Sequence, residues 1–463
     1  MKSLWSSSVQ LAKRKQLEAD IQCQNVVIGA GMAGILIAYF LQEKGQDVVV
    51  LEADEIASGQ TKNTTAKITS QHGCIYHNMI KKAGFDRAKG YAKANQEAII
   101  QYKEIITKEG IDCHFETLPS FLYSQKEHGM ERLKKEVKAA KSLGIEAEYV
   151  RGDKIGALPF GVMSAVKFEG QAQFHPLEFI KEIAKTLTIY EHTRVLEVDE
   201  HFVITDKNVV VAENVIFATH YPFPIVPGFY FLRQHQSRSY VLALEGEGVP
   251  KRLDGMYYGI DRDGLSFRHA QGKLLVGGGT HRTGKVQIRD WKVESEKQKR
   301  RMGGFCYLRE QVQKYYPKGN EVAAWAAQDC MPHDGIPFIG RFSLLHENWY
   351  VATGFQKWGM TSAMVSAMII SDLITGKENP YTAVFSPQRL LVRAGYKHFI
   401  VDVWESLLGL ERGLFSAKNK KCTHMGCALE WNEEEQSWDC PCHGSRYTKE
   451  GELVDNPAQD MLK

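Results

Sequence analysis

Apolar positions at the start of the chain fall into short blocks that predict alternating strands and helices. Residues 26–28 are a β-branched run, which favours a buried strand. The apolar block 35–41 becomes polar toward residue 45, which predicts a helix that ends at a glycine. Residues 48–51 predict the next strand, so this segment has the order of an α/β fold.

Farther along, the pattern changes from helical to strand-rich. Residues 86–109 and 127–143 predict amphipathic helices whose Lys and Glu side chains form a solvated face. From about 225 to 330 short strands dominate, and after a strand at 349–353 a glycine-rich turn leads into a helix that ends near Gly376. Turn-bounded apolar runs predict strands at 193–198, 202–205, 209–211, 214–220, 239–244 and 273–276.

Three glycines separate the first strand from the first helix. Gly29 permits a tight turn, Gly31 allows the backbone to approach a pyrophosphate, and Gly34 allows the helix to pack closely on the strand. Glu52 ends the second strand, where it can accept a hydrogen bond from a ribose hydroxyl. This context predicts a dinucleotide site, and it excludes a membrane span because the glycines and the polar helix end interrupt the apolar run.

Two further glycine- or hydroxyl-rich segments qualify this prediction. The loop 57–67 can cap a helix and present donors to a phosphate, which makes it a candidate second anchor for the same cofactor. The triplet 277–279 has no apolar helix behind it, so it does not predict a second dinucleotide.

These motifs together resemble the D-amino-acid oxidase family of FAD-dependent oxidoreductases, over roughly residues 22–380. The resemblance implies a Rossmann-like FAD-binding domain interleaved with an antiparallel-sheet substrate domain, with the flavin between them. Adenine is expected at Val195 and the isoalloxazine near residues 359–361. The implied FAD contacts are Gly29, Ala30, Gly31, Met32, Ala33, Gly34, Glu52, Ala53, Ser58, Thr61, Thr65, Ala66, Lys67, Val195, Ala218, Thr219, Gly354, Gly359, Met360 and Thr361.

Two departures from the family pattern bear on chemistry. Oxygen-using relatives carry a lysine after a Gly-Leu pair, where this chain has Ser266. They carry a second lysine, which grips the substrate carboxylate, near the position of Thr361. A cation beside the flavin would stabilise the anion formed when oxygen takes an electron, so its absence favours a dehydrogenase over an oxidase. Lys67 is the side chain that could supply this charge from another direction.

The catalytic candidates lie around the implied flavin face. One of Trp325, Gln328 and Asp329 is expected to line the cavity. Trp358 is a candidate because a buried tryptophan needs a ring to stack on or a hydrogen-bond partner. Cys330 is off the position expected for a covalent tether, so FAD is taken as noncovalent. The candidates are Trp358, Lys67, His269 and Gln328.

The tail contains two similar Cys/His loops, at 422–427 and 440–447. Cysteine and histidine at these spacings can hold zinc, but zinc needs four ligands and six are available here. The loops resemble the C-X-H-X-G-C and C-P-C-H-G-S signatures of Rieske proteins, which implies a 2Fe–2S cluster.

The Rieske resemblance assigns roles to the tail residues one by one. Cys422 and Cys440 would bind one iron, while His424 and His443 bind the other. Two further residues, Cys427 and Cys442, match a disulfide that braces the loops. Ser445 and Tyr447 match residues whose hydroxyls hydrogen-bond the cluster sulfur and a ligand sulfur in Rieske proteins. Such hydrogen bonds raise the reduction potential of the cluster.

Charge and cysteine usage narrow the class of protein. The formal net charge is only +3, which argues against a nucleic-acid binder. Residues 401–463 hold 7 Lys+Arg and 12 Asp+Glu, so the tail is net negative and the body net positive. The tail could therefore dock on the body, meet a basic partner, or be solvated independently.

The remaining cysteines and the N-terminus bear on the compartment. The five cysteines scattered through the body show no disulfide framework. The N-terminus has no secretory leader, and no run is long enough for an integral membrane segment. A cytoplasmic protein is expected.

The predicted function combines both modules. A small amine or amino-acid-like substrate loses electrons at FAD, which pass to the Rieske cluster and then to a soluble one-electron carrier. The alternatives are a redox sensor or relay without a substrate, and a reductase fed through the cluster. The predicted ranges are an extension at 1–22, the oxidoreductase at 23–395 (FAD-binding about 23–115, 165–224 and 331–380; substrate domain about 116–164 and 225–330), a linker helix at 396–410 and the all-β Rieske module at 411–463.

Overall fold

A computed structural model describes residues 2–285, 288–293, 296–301, 303–389 and 420–462, with residues 400, 404, 408–411 and 413 between them. The predicted linker helix at 396–410 therefore lies largely outside the described residues. The body strands are β1 (Ile21–Ile28), β2 (Val48–Leu51), β3 (Lys67–Ile68), β4 (Glu116–Ser124), β5 (Ala147–Arg151), β6 (Ser164–Gln173), β7 (Thr188–Tyr190), β8 (Val195–Asp199), β9 (Phe202–Thr205), β10 (Val209–Phe217), β11 (Gln234–Gly246), β12 (Met256–Gly259), β13 (Ser266–Ala270), β14 (Lys273–Arg282), β15 (Ile288–Val293), β16 (Glu296–Arg301), β17 (Gly319–Pro332), β18 (Phe338–Arg341) and β19 (Trp349–Thr353).

The helices cover the sheets of the body. Both predicted amphipathic helices are present, as α4 and α5, and the late small-residue helix is α8. The helices are α1 (Leu4–Ser8), α2 (Met32–Glu43), α3 (Tyr76–Ala83), α4 (Phe85–Lys108), α5 (Glu127–Ser142), α6 (Pro176–Ile183), α7 (Gly304–Tyr315), α8 (Gly359–Ile374) and α9 (Thr382–Phe385).

The first sheet confirms the predicted Rossmann-like architecture. Within the described residues it has eight strands, and its main path runs β18-β19-β10-β1-β2-β7. Strand β1 pairs in parallel with β2 and β10, and β10 pairs in parallel with β19. The carboxyl ends of these strands therefore meet at one edge, which brings Gly29, Glu52 and Ala218 together where ligands of such sheets bind.

The second sheet is the predicted substrate-domain sheet. In the described part of the chain it has nine strands, ordered β17-β11-β14-β13-β12-β4-β6-β3 with β5 beside β6. All pairs are antiparallel except β12 with β4. Strands β3 and β6, which fall in the ranges predicted for the FAD-binding domain, lie in this sheet, where β3 pairs with β6 and β6 pairs with β4.

Close packing of α2 against β1 depends on glycine. Ile35, Leu36 and Ile37 of this helix are fully buried, because the sheet lies on one side of it and α8 on the other. At Gly34 a Cβ atom would lie 1.9 Å from the carbonyl oxygen of Gly29. The helix therefore begins directly above the strand end.

The N-terminal extension packs onto the body. Trp5 in α1 is buried, and its indole N–H donates to the carbonyl of Thr64 (2.7 Å). Ser8 hydrogen-bonds His175 Nε2 (2.9 Å). The extension therefore supports the hydroxyl-rich loop 57–67 from outside.

The C-terminal module is a small antiparallel sheet, as predicted. Its strands follow one another in space in chain order. Its small core includes Cys422, Cys440 and Tyr447. The strands are β20 (Glu430–Asn432), β21 (Ser437–Asp439), β22 (Arg446–Thr448) and β23 (Leu453–Asp455).

We predict that Gly34→Ala destabilises the body. The added methyl would overlap the Gly29 carbonyl, and overpacking of this kind costs about 1–3 kcal/mol. Thermal unfolding followed by circular dichroism should show a lower midpoint than the wild type. Gly156→Ala is the matched control, because open space surrounds a Cβ there. Equal midpoints for the two variants would contradict the close-packing account.

Candidate functional site

A cavity of about 280 Å³ lies at the carboxyl edge of the first sheet. Its walls come from the glycine turn, the ends of β2 and β10, the start of α8 and the strand β17. Residues of the C-terminal module, Leu453 to Asn456 and Gln459, complete it. The cavity therefore joins parts of the chain that are far apart in sequence.

The glycine turn presents the start of α2 to this cavity. Gly31 caps the helix without a side-chain bond, and Met32 N–H donates to Thr61 Oγ1 (2.9 Å). A Cβ at Gly31 would lie 3.3 Å from the same Thr61 oxygen. A small residue is therefore needed for backbone N–H groups and the helix dipole to reach an anionic ligand.

Glu52 is held at the end of β2 by backbone donors. Its carboxylate accepts hydrogen bonds from Ala30 N–H (2.7 Å) and Asp54 N–H (3.0 Å). Burial raises the pKa of Glu52, and these backbone bonds oppose the rise. The carboxylate is thus oriented in the cavity wall, as accepting a ribose hydroxyl requires.

The structure places many of the predicted FAD contacts in the cavity wall. They come from six separate segments, which is why no single motif identifies the site. The predicted contacts that line the cavity are Gly29, Gly31, Met32, Ala33, Glu52, Ala53, Ser58, Thr61, Val195, Ala218, Thr219, Gly359 and Met360.

The other predicted contacts lie behind the wall. Ala30 positions Glu52, and Gly34 packs on Gly29. The carbonyls of Thr65 and Ala66 accept hydrogen bonds from the buried Arg268. Gly354, Thr361 and Lys67 are also absent from the lining, with Gly354 packed against Pro332 and Thr361 Oγ1 bonded to the carbonyl of Thr69.

Two charged residues line the cavity near the start of α8. Burial raises the pKa of Asp329 to about 6, and the positive charge of Lys357 opposes that rise. Burial also lowers the pKa of Lys357, whose amine hydrogen-bonds Thr280. Asp329 was one of three residues, with Trp325 and Gln328, of which one was expected to line the cavity. Lys357 was missed, although a charge inside a glycine-rich turn was a usable signal.

Trp358 takes part in an aromatic cluster behind this turn. Its ring stacks on His72 with centroids 4.9 Å apart, and it meets Tyr258 edge-on at 5.5 Å. Burial lowers the pKa of His72 to about 3, so its ring is neutral. His72 Nδ1 bonds the Tyr91 hydroxyl (2.6 Å), which orients the ring. The sequence offered no pattern that identified His72.

The side chain of Lys67 reaches Ser266, the position at which oxygen-using relatives carry a lysine. Its amine donates to Ser266 Oγ (2.5 Å) and to the carbonyl of Tyr257 (3.0 Å). Burial, together with repulsion from Arg268, lowers the pKa of Lys67 to about 7. A lysine amine thus lies at Ser266, although it comes from β3 rather than β13.

The structure places His269 and Gln328 outside the cavity lining. His269 Nε2 bonds Glu116 (2.8 Å) and Gln173 (2.9 Å), away from the cavity lining, in a network that joins β13 to β4 and β6. Gln328 points to the opposite face of β17 from the cavity, where its amide donates to the carbonyl of Gly444 (2.9 Å). Neither is carried forward as a catalytic residue.

The two Cys/His loops of the tail come together as the spacing predicted. Cys422 and Cys440 are both buried in the core of the module. The rings of His424 and His443 meet edge-on with centroids 5.0 Å apart. Burial lowers the pKa of His424 to about 4, and its Nδ1 has no hydrogen-bond partner among the described residues. Two thiols and two imidazoles suit the mixed ligand set of a Rieske cluster.

Further residues brace the loops. Cys427 and Cys442 form a disulfide across them. The Tyr447 hydroxyl lies 3.4 Å from Cys422 Sγ and accepts from Thr423 N–H (3.1 Å). Ser445 Oγ accepts from Ala458 N–H (3.0 Å). The implied cluster hydroxyls are therefore close to the ligand loops.

The second loop docks directly on the body. Arg282 donates to the carbonyls of Pro441 (3.0 Å) and Cys442 (2.9 Å). Gln236 donates to the carbonyl of His443 (2.9 Å), and Phe231 meets the His443 ring edge-on at 5.7 Å. The loop thus lies against β11 and β14.

Opposite charges complete the interface between tail and body. Arg238 on β11 is almost fully buried and forms a two-pronged ion pair with Glu435. Burial alone would raise the pKa of Glu435, but Arg238 and Arg446 hold it at about 2. Glu434 accepts from the N–H groups of Phe305 (3.0 Å) and Cys306 (2.9 Å) at the start of α7. Of the three arrangements left open by composition, the docked one is observed.

Comparison with known families gives the two parts of the chain their class. The family model for FAD dependent oxidoreductase matches residues 25–373, and the model for the Rieske [2Fe-2S] domain matches residues 386–463. The second match begins before the boundary predicted at 411. The chain belongs to the FAD-dependent oxidoreductase family and carries a C-terminal Rieske domain.

One relative matches almost the whole chain and another matches only a short segment. The YhfW protein of Bacillus subtilis (strain 168), named for a Rieske 2Fe-2S iron-sulfur centre, is 33% identical over 99% of this chain and 96% of its own length. A cytochrome b6-f complex iron-sulfur subunit of Nostoc sp. is 52% identical over 42 residues, which are 9% of this chain and 24% of that protein.

Solved structures share the fold of the body. L-proline dehydrogenase from P. horikoshii aligns with a TM-score of 0.64 at 17% identity, covering 80% of this chain and 98% of that one. L-amino acid deaminase from Proteus vulgaris aligns with a TM-score of 0.63 at 18% identity, covering 82% and 100%.

The protein therefore binds FAD and a 2Fe–2S cluster. The residues present fit both groups. The glycine turn lines the cavity at Gly29 and Gly31, where a Cβ at Gly31 would crowd the Thr61 hydroxyl. The tail presents buried thiols beside a buried imidazole nitrogen. No helix in the described part of the chain combines the length and apolar character needed to cross a bilayer.

We predict that His424→Cys keeps a cluster but lowers its reduction potential, because a charged thiolate replaces a neutral imidazole. Cys422→Ala should lose the cluster. Redox titration followed by EPR measures both results. His128→Cys, at an exposed position on α5, is the control for adding a thiol. Unchanged iron content in Cys422→Ala, or zinc in freshly prepared anaerobic protein, would contradict the ligand assignment.

Proposed function

We propose that the protein is a dehydrogenase of small amine or amino-acid-like substrates that passes electrons from FAD through the Rieske cluster to an external soluble one-electron carrier. Strand β17 carries the proposal. Ala327 and Asp329 line the cofactor cavity, while Gln328 between them donates to the carbonyl of Gly444 in the cluster loop (2.9 Å). One strand thus separates the flavin cavity from the cluster.

FAD, when bound, takes a hydride equivalent from the substrate, whereas a Rieske cluster takes one electron at a time. The residues of the chain hold the two sites at a short separation. Gln328 Nε2 also donates to Gln236 Oε1 (2.7 Å), and Gln236 donates to the carbonyl of His443. This hydrogen-bonded pair anchors the loop of a cluster ligand to the strand behind the cavity.

The substrate class is supported by relatives of the fold and by charge. Solved neighbours are named as an L-proline dehydrogenase, a glycine oxidase and an L-amino acid deaminase. In this chain Lys357 and Asp329 place an amine and a carboxyl group at the same end of the cavity. An amino-acid zwitterion carries the complementary pair of charges. Lys357 would therefore bind the substrate carboxylate, as the lysine of relatives does near the position of Thr361.

The residues behind the turn keep this end of the cavity ordered. Trp358 stacks on the neutral His72 behind the turn. Tyr102 donates to the carbonyl of Met360 (2.9 Å), which holds the first turn of α8. In our proposal Trp358 is therefore a positioning residue for the flavin-facing backbone.

The proposal places the protein in the cytoplasm. The cysteines scattered through the body form no disulfide among the described residues, which suits a reducing compartment. A soluble carrier in that compartment would receive the electrons.

We predict that an amino acid or methylated amino acid bleaches the flavin anaerobically and that the cluster is then reduced. Lys357→Met should raise KM for amino acids by about tenfold, because a charge-assisted hydrogen bond is lost, and leave KM for simple amines unchanged. Anaerobic stopped-flow spectroscopy across an amine panel measures both. Lys318→Met, at an exposed lysine paired with Glu247, is the control. A cluster that reduces the flavin, with no bleaching by any amine, would instead indicate a reductase or relay.

We predict slow reaction of the reduced protein with oxygen and fast reaction with a one-electron dye. The residual oxygen reaction should depend on protonated Lys67. It should therefore be fastest below pH 7 and fall as pH rises through about 7, and it should be lost in Lys67→Met. Stopped-flow mixing with oxygen across pH tests this. Rapid peroxide formation that persists without the cluster would contradict the dehydrogenase assignment.

A further inference from the structure

The Rieske module contributes residues to the FAD cavity. Leu453, Val454 and Asp455 of β23, followed by Asn456 and Gln459, line the same space as the glycine turn. This segment follows the second cluster loop in the chain, and its residues Asp455 and Asn456 hydrogen-bond the body at the cavity. Neither family match assigns these residues to FAD, since one ends at residue 373 and the other describes an iron-sulfur domain.

Asn456 holds this segment against the flavin-binding sheet. Its side-chain amide donates to the carbonyls of Thr219 (2.9 Å) and Tyr221 (2.8 Å), directly after β10. Its own carbonyl accepts from Gln236 (2.8 Å). Because Thr219 is itself a cavity residue, Asn456 ties the module to the wall on which the cofactor lies.

A second tie comes from the loop that follows the glycine turn. Gln60, which also lines the cavity, donates from Nε2 to Asp455 Oδ1 (3.1 Å). Its Oε1 accepts from Gln328 N–H of β17 (2.7 Å). The segment is thus bonded on two sides of the cavity, at β10 and at the loop 57–67.

The charge of Asp455 is compensated within the interface. Its Oδ2 accepts from Arg446 Nη1 (3.0 Å), and Arg238 Nη1 of the body lies 3.9 Å away. An uncompensated carboxylate would repel the pyrophosphate of FAD. With both arginines in place, the wall can face an anionic cofactor.

We propose that the segment 453–459 of the Rieske module forms part of the FAD-binding site. FAD binding and docking of the module on the body then stabilise each other. Undocking the module opens the cavity to water and weakens FAD binding. By linkage, bound FAD must strengthen docking by the same factor. The inference concerns cofactor binding and does not depend on the substrate.

The first test measures FAD affinity in the full-length protein. Asn456→Ala removes two hydrogen bonds to the body, and we expect it to weaken FAD binding by about tenfold. Deflavinated protein is titrated with FAD and followed by flavin fluorescence, while EPR of the reduced cluster confirms an intact module. Glu452→Ala is the matched control, because this exposed residue precedes β23 in the same module. It should bind FAD as the wild type does.

The second test uses the wild-type protein. It tests the coupling even if Asn456→Ala loses its cluster. Hydrogen–deuterium exchange is compared between deflavinated and FAD-reconstituted samples over residues 449–462. Slower exchange of this segment with FAD, and no change at the exposed face of α5, is the expected result. FAD affinity within twofold of wild type in Asn456→Ala, or exchange that is indifferent to FAD, would overturn the proposal. Both readouts are independent of turnover, so failure of the proposed substrate class leaves them unaffected.

Discussion

The buried charges between Arg238, Glu435, Arg446 and Asp455 are the constraint on which the arrangement of the two modules depends. Arg238 is only 3% exposed and reaches the module from the middle of β11. Removing one partner of such a pair leaves a buried charge and costs about 3–5 kcal/mol. An apolar contact of equal area could be as stable, but it would not hold one register. The network thus gives the cluster loops a single position on the body.

The position matters because of the way a strand presents its side chains. Successive residues of β17 face opposite sides, so Ala327 and Asp329 face the cavity and Gln328 faces the cluster loop. A slip of one residue against β11 would exchange these faces. Charges at the interface and register in the sheet together keep the flavin cavity and the cluster on two sides of one strand.

The flavin end of the cavity is built from elements that are distant in the chain. His72 follows β3, Tyr258 lies on β12, and Lys357 and Trp358 precede α8. Hydrogen bonds hold several polar groups there, since His72 bonds Tyr91 and Lys357 bonds Thr280. Asp329 accepts from the Ser239 hydroxyl (3.4 Å). His72, Asp329 and Lys357 thus have shifted pKa values beside the cavity, which is common at functional sites.

The sequence by itself determined the features that local chemistry specifies. The strand, glycine turn, helix and acid of residues 25–52 identified the dinucleotide site, since backbone geometry alone demands glycine there. The two Cys/His loops identified the cluster, since metal ligands must recur at fixed spacing. Tertiary structure alone decided what depends on long-range pairing. It brought Lys67 to Ser266, turned Gln328 away from the cavity, placed His269 in a structural network, and put Asn456 into the FAD wall. Periodicity reports which residues are buried, but only the packed chain shows which neighbour each one meets.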